Sequence, residues 1–309
     1  MIKHLSVSRL LLLFMALIIT SHIPNQAAAQ EKERYSSLNE ALLLAGDLYG
    51  SQGPRNINWI DGGERYSYMR HSEDGDMEIR AYTPSSGEDL PVFSNEDHTF
   101  PDTDTPFTYQ SFQWSEDSEY LVFESNFRPV YRYSGISDYY LYSIEDESLQ
   151  LLVEDARTAE LSPDGSKIGY ERNGDLFVYD LDSKEETQLT SSAKEHFYNG
   201  RFGWVYEEEF GLVQAWVWSP DSKYIAYWQS DERDVNIFQM TDYEEQHPEY
   251  VRIPYPKAGD KNPAVRVGVV NVDNSEKQWM DLDIGDGYIP RIYWTAREGQ
   301  LAIVHLNRP

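Results

Sequence analysis

The sequence predicts an all-β protein, a β-propeller preceded by one short helix, and three observations carry that prediction. A strand, tight turn and second strand recur along the chain at a spacing of about 45 residues, the period of a propeller blade. From about Asn56 onward the segments are short, alternate in polarity and are rich in Tyr, Val, Ile and Trp. They are broken by Asp-Gly, Asp-Ser and Pro turns, with no long stretch of helical period.

The elements are justified in chain order. Lys3 and Arg9 precede an unbroken apolar run from Leu10 to Ile19, followed by Pro24 and the small residues Ala27-Ala28-Ala29. This pattern predicts a secretory signal peptide over residues 1–29, cut after Ala29. Ten apolar residues at about 1.5 Å each fall short of a hydrocarbon core of roughly 30 Å, so a retained membrane span is the poorer reading. No cysteine stands beside the cut to take a lipid, and the mature chain is expected in the periplasm or secreted, with no membrane contact. Residues 30–54 form a helix and linker: Ser37-Leu38-Asn39-Glu40 has the form of a capping box, followed by Ala41 to Ala45 and a stop at Gly46.

Residues 55–309 carry the repeats. Gln113-Trp114-Ser115-Glu116-Asp117-Ser118-Glu119-Tyr120-Leu121-Val122-Phe123 aligns with Val217-Trp218-Ser219-Pro220-Asp221-Ser222-Lys223-Tyr224-Ile225-Ala226-Tyr227. Between them, Glu160-Leu161-Ser162-Pro163-Asp164-Gly165-Ser166-Lys167-Ile168-Gly169-Tyr170 repeats the pattern, and weaker copies begin at Trp59 and Trp294. In each turn an Asp or Ser side chain is placed to bond the backbone. Starts at Trp59, Trp114, Leu161, Trp218 and Trp294 give four blades and the beginning of a fifth. A propeller closes its ring to cover its blade faces, so the chain is read as the N-terminal portion of a longer protein. The stretches Leu189 to Ala215 and Gln229 to Val265 exceed a minimal blade, and insertions on a propeller rim are where binding tends to sit. The repeated Trp and Tyr residues are expected in the blade cores.

Composition narrows the function classes. The formal charge of -27 becomes -27 - 2 = -29 once Lys3 and Arg9 leave with the signal peptide, which disfavours nucleic acid and anionic membrane as partners. The chain has no cysteine, so stability rests on its core. His71, His98, His196, His247 and His305 are scattered without metal spacing, the acidic turn Glu73-Asp74-Gly75-Asp76 fails the calcium-loop pattern, and no phosphate-binding glycine loop occurs; neither metal nor cofactor is expected. One cluster stands out. Gly203-Trp204-Val205-Tyr206-Glu207-Glu208-Glu209-Phe210 sets three consecutive carboxylates beside large aromatics. Carboxylates this close repel one another unless a cation neutralises them, and a peptide's N-terminal ammonium is one candidate.

In the order Trp204 to Glu209, Trp218-Ser219-Pro220, Ile225-Ala226-Tyr227, then Val251-Arg252-Ile253-Pro254-Tyr255-Pro256-Lys257-Ala258-Gly259 and Asn262-Pro263, the chain closely resembles the propeller of the dipeptidyl peptidase IV family of serine peptidases. The likeness covers nearly all of the mature chain and is weakest before about Phe112. It implies an eight-bladed propeller capped by an α/β-hydrolase domain with a Ser, Asp and His triad, which releases dipeptides from a free N-terminus with Pro or Ala second. By position, the resemblance makes Glu208 and Glu209 the pair that holds the substrate ammonium, and Arg132 the propeller arginine that contacts the substrate backbone. Glu207 is left facing solvent or a structural partner. Gly203 departs from the family, whose members commonly have Asp there, and the missing cysteines fit a bacterial periplasmic member.

The chemistry of such a site is consistent. An α-amino group with a pKa of about 8 is cationic at neutral pH, and two carboxylates can share its three N–H donors. Two extended residues reach only about 7 Å, so a nucleophile at that distance cuts after the second residue. The chain contains no Gly-x-Ser-x-Gly nucleophile elbow, so no catalytic residue is assigned within it and it is expected to be inactive alone. Peptides with a free N-terminus are the expected partners, and a homodimer is left open. Two alternatives stand beside this reading: a relative that releases tripeptides, and a non-catalytic periplasmic propeller that binds peptides or proteins.

Overall fold

The structure, a computed structural model, describes residues 35–43, 54–71, 77–244 and 246–308. The expected signal peptide, the helix stop at Gly46 and the acidic turn at residues 73–76 lie outside the described residues. The chain divides into two compact units, Met1–Gly53 and Pro54–Pro309. In the first, helix α1 (Leu38–Leu43) forms one half of the expected capping box, the Glu40 N–H donating to Ser37 Oγ at 3.1 Å, while the Glu40 carboxylate reaches one residue further back and accepts from the Ser36 N–H at 2.6 Å.

The second unit is the propeller. Its first sheet pairs β1 (Arg55–Ile60), β2 (Arg65–His71), β3 (Met77–Thr83) and β4 (Glu88–Ser94) in sequence order. The second pairs β5 (Ser111–Trp114), β6 (Tyr120–Pro129), β7 (Gly135–Ser143) and β8 (Ser148–Ala156). The third pairs β9 (Thr158–Leu161), β10 (Lys167–Arg172), β11 (Asp175–Asp180) and β12 (Glu186–Gln188). The fourth holds β13 (Phe197–Asn199), β14 (Trp216–Trp218), β15 (Tyr224–Asp231), β18 (Ala264–Asn271) and β19 (Lys277–Trp279), with a separate hairpin of β16 (Ile237–Asp242) and β17 (Glu249–Pro254). A two-stranded sheet, β20 (Tyr288–Trp294) and β21 (Leu301–Leu306), begins a fifth. All pairings are antiparallel, the blade architecture that the repeats predict.

The repeated turns share one set of bonds. Ser115, Ser162 and Ser219 donate Oγ–H to Asp117, Asp164 and Asp221 at 2.5, 2.7 and 2.6 Å. The same hydroxyls accept the N–H groups of Tyr120, Lys167 and Tyr224, each at 2.9 Å. A left-handed residue closes each turn, at Ser118, Gly165 and Ser222.

Because strand side chains alternate between faces, each inner strand feeds two cores. Leu121 and Phe123 pack toward the first sheet, and Val122 between them packs toward the third. Ile225 and Tyr227 likewise pack toward the third sheet, Ala226 and Trp228 toward the fifth. The interior is therefore a series of slabs between neighbouring blades. At the corresponding place in β10 a Cβ on Gly169 would lie 2.9 Å from the Trp218 ring and 3.1 Å from that of Trp216, so glycine makes room for two indoles of the next blade.

Three tryptophans also point backwards along the chain. Trp114 Nε1 donates to Ser67 Oγ at 2.8 Å, Trp216 Nε1 to Thr158 Oγ1 at 2.9 Å and Trp294 Nε1 to the Val217 carbonyl at 3.4 Å, each on the preceding blade. Trp59 departs from the expectation of a core residue: it is 64% exposed. Among the described residues no blade precedes its own, and the alternation of β1 instead turns Ile60 inward.

Candidate functional site

Helix α2 (Trp204–Phe210) occupies the first insertion of the fourth blade. Its N-cap, Gly203, has ordinary extended backbone, so the demand for glycine is one of space: a Cβ there would lie 1.7 Å from Oε1 of Glu232. Gly211 ends the helix in the left-handed conformation at φ 64°. Val205, Tyr206 and Glu207 are buried, and aromatic contacts fix the helix. Tyr206 stacks on Phe202 with centroids 4.7 Å apart, and its hydroxyl accepts the Ile289 N–H at 3.0 Å. Trp204 meets Tyr255 at 4.1 Å, which ties the helix to the segment that follows β17. Phe210 packs edge-on against Tyr288 at 5.3 Å.

The three carboxylates have different surroundings. Glu207 is 1% exposed and accepts three hydrogen bonds from the β6–β7 loop: the N–H groups of Tyr133 and Ser134 reach Oε1 at 2.7 and 3.0 Å, and Ser134 Oγ–H reaches Oε2 at 2.6 Å. Of the alternatives left for it, the structural partner is what the fold supplies. Glu208 is partly exposed and its Oε2 lies 3.2 Å from Nε of Arg132, on the same loop. Glu209 is exposed, with no ion-pair partner among the described residues. Arg132 itself keeps 66% of its side chain in solvent. Residues from the second and fourth blades thus bring Glu208 and Arg132 together, with the exposed Glu209 next along the helix. Such a set can take a further cation on the carboxylates while the guanidinium donates to a neutral acceptor.

Behind Glu207 lies a buried charge network that sequence reasoning missed. Arg157, between β8 and β9, donates through Nη2 to Ser134 Oγ at 2.6 Å and lies 3.5 Å from Glu207 Oε2. Burial, helped by the positive charge of Arg201, lowers its pKa, while Glu171, Glu207 and Tyr131 oppose that shift. Glu171 and Glu232 are nearly inaccessible, and burial pushes both carboxyls up, Glu232 to about 7 despite Arg201 and Arg157 nearby. No local signal marks Arg157, Ser134 or Glu232. Gly203, which stands where the family commonly has Asp, is the one visible trace of Glu232 in the sequence.

The model of the dipeptidyl peptidase IV (DPP IV) N-terminal region matches residues 115–309, more than half of the chain. The chain belongs to the dipeptidyl peptidase IV N-terminal family. Its relatives include human prolyl endopeptidase FAP, 30% identical over 239 residues that cover 75% of this chain and 30% of the relative. Bovine dipeptidyl peptidase 4 is 31% identical over 202 residues, covering 60% and 26%. The crystal structure of Porphyromonas gingivalis dipeptidyl peptidase 4 superposes with a TM-score of 0.77 at 29% identity, over 89% of this chain and 39% of that one. The chain thus spans between 26% and 39% of the length of these relatives, and what it shares with them is the family's propeller. No described helix is long and apolar enough to cross a membrane.

Proposed function

We propose that this chain is the substrate-positioning propeller of an exported serine exopeptidase that releases N-terminal dipeptides, Xaa-Pro or Xaa-Ala, from peptides. Glu208 and Glu209 hold the substrate's ammonium and Arg132 donates to its backbone. Bond cleavage is assigned to a hydrolase portion outside these 309 residues, which makes this portion inactive by itself. The observation that carries the reading is the asymmetry of the triple Glu. One carboxylate is consumed by the fold, and the next two remain accessible beside an exposed guanidinium. Accessible like charges on adjacent residues gain most from a ligand that is itself cationic and has several donors, which describes a free peptide N-terminus. The names of the relatives support the same reaction class.

The test compares a Gly-Pro chromogenic amide with its N-acetyl counterpart on the full-length protein. Acetylation removes the charge and leaves the scissile bond unchanged. The rate kcat/KM is expected to fall at least about 100-fold, the loss of one to two charge-assisted contacts. Equal rates for the two substrates overturn the proposal and favour a propeller whose carboxylates serve another purpose.

A further inference from the structure

We infer that Glu207 is a positioning residue: with Ser134 and Arg157 it latches the Arg132 loop onto helix α2 and so sets the distance between the guanidinium and the carboxylate pair. The inference rests on the amine-binding reading above and adds to it a residue that touches no substrate.

Two contacts run side by side between the β6–β7 loop and the helix. On the buried side, Glu207 takes the N–H groups of Tyr133 and Ser134. One residue along in the helix and one back in the loop, Glu208 meets Arg132. The outer contact joins a side chain 66% exposed to one partly exposed, and a pair of that kind holds no fixed geometry of its own. The inner contact has the opposite character. All three bonds go to one carboxylate 1% exposed, and Ser134 is fully buried.

Arg157 closes the latch from behind. Its guanidinium donates to the same hydroxyl that donates to Glu207, forming a relay from Arg157 through Ser134 to Glu207. It also lies over the ring of Tyr131 at 5.6 Å, so the residue on the other flank of Arg132 is held as well. The loop closes on itself through N–H donors of Val130 and Tyr131 to the Ser134 carbonyl at 2.8 and 3.2 Å. Arg132 is thus the outward side chain of a loop clamped on both sides, which is how a rigid element presents one functional group. A buried ion pair is costly to form and is a weak source of stability, so register is the gain that explains this one.

The test uses the full-length protein with the variants Glu207→Gln and Ser134→Ala, each made alone and with Arg132→Ala. Ser134→Ala keeps the Glu207 carboxylate and both N–H donors, so it remains informative where Glu207→Gln fails to fold. Each single variant is expected to raise KM for the free-amine substrate by about tenfold with kcat changed less than about twofold, and to speed exchange of the Tyr133 and Ser134 amides. In the Arg132→Ala background the same change is expected to cost less than about twofold, because a latch with nothing to position has no further effect on binding. Equal effects in both backgrounds, or faster amide exchange with KM unchanged, overturn the inference. Failure of the underlying reading is separate: there, Glu208→Ala with Glu209→Ala leaves the free-amine rate unchanged.

Discussion

The third and fourth blades share one repeat and put it to different uses. The third, from Thr158 to Gln188, is a minimal blade whose turn residues bond within their own blade and to the next one, as where the Asp164 N–H donates to Ser222 Oγ at 3.0 Å. The fourth keeps the same turn at Ser219 and Asp221, but departs from the plan before β14 and again after β15. One departure is helix α2, and its carboxylates reach back past the third blade to a loop of the second. The difference teaches where the repeat ends and the site begins. Contacts that recur build the ring, and contacts made once bring separate blades to a common point.

Two glycines sharpen the contrast. Gly203→Ala and Gly169→Ala each place a methyl in occupied space, with an expected loss of about 1–3 kcal/mol, Gly203→Ala at the upper end. They differ in rescue. The obstacle at Gly203 is one carboxylate, so adding Glu232→Ala is expected to recover most of the loss in denaturant unfolding; the obstacle at Gly169 is a pair of rigid indoles, and no change at Glu232 relieves it. A Gly203→Ala defect that persists in the double variant breaks the account of Gly203.

A second contrast concerns pH. Glu232 rises from the usual 4.5 to about 7 on folding, so the folded state binds its proton more tightly than the unfolded state. Stability from this group is fully present below about pH 4.5 and is lost as pH rises to about 7. Glu232→Gln is therefore expected to leave stability unchanged near pH 4 and to raise it by up to about 3 kcal/mol at pH 8. The turn carboxylates behave oppositely: hydrogen bonds hold Asp164 and Asp221 below the usual range, and their contribution is lost only as pH falls through their folded values. A Glu232→Gln curve parallel to that of the parent protein contradicts the assignment.

The smallest effect belongs to the repeat. Ser115→Ala, Ser162→Ala and Ser219→Ala each remove one donor and one acceptor from equivalent turns, and each is expected to cost about 1–2 kcal/mol. Unequal losses across the three blades show that the turns do not share one energetic role.

What was legible in the sequence follows the same division. The Ser-x-Asp turns can be read because donor and acceptor lie within five residues, so spacing alone fixes their geometry. The blade count follows from them, and Glu208, Glu209 and Arg132 were named through the motifs that flank them. That Trp59 is exposed depends on a neighbouring blade, which spacing within one repeat does not encode. The burial of Glu207 and the roles of Ser134 and Arg157 were hidden for a related reason. The Glu207 contacts join residues 73 and 74 apart, across an intervening blade, and Arg157 meets Ser134 across 23, so no local pattern marks which loop will cover which helix.

The most direct measurement of the central claim compares free and N-acetylated Gly-Pro amides on the full-length protein before and after Glu208→Ala with Glu209→Ala. The account predicts that the parent's preference of at least about 100-fold for the free amine collapses to within about tenfold, through loss of the free-amine rate. A double variant that keeps the full preference contradicts it.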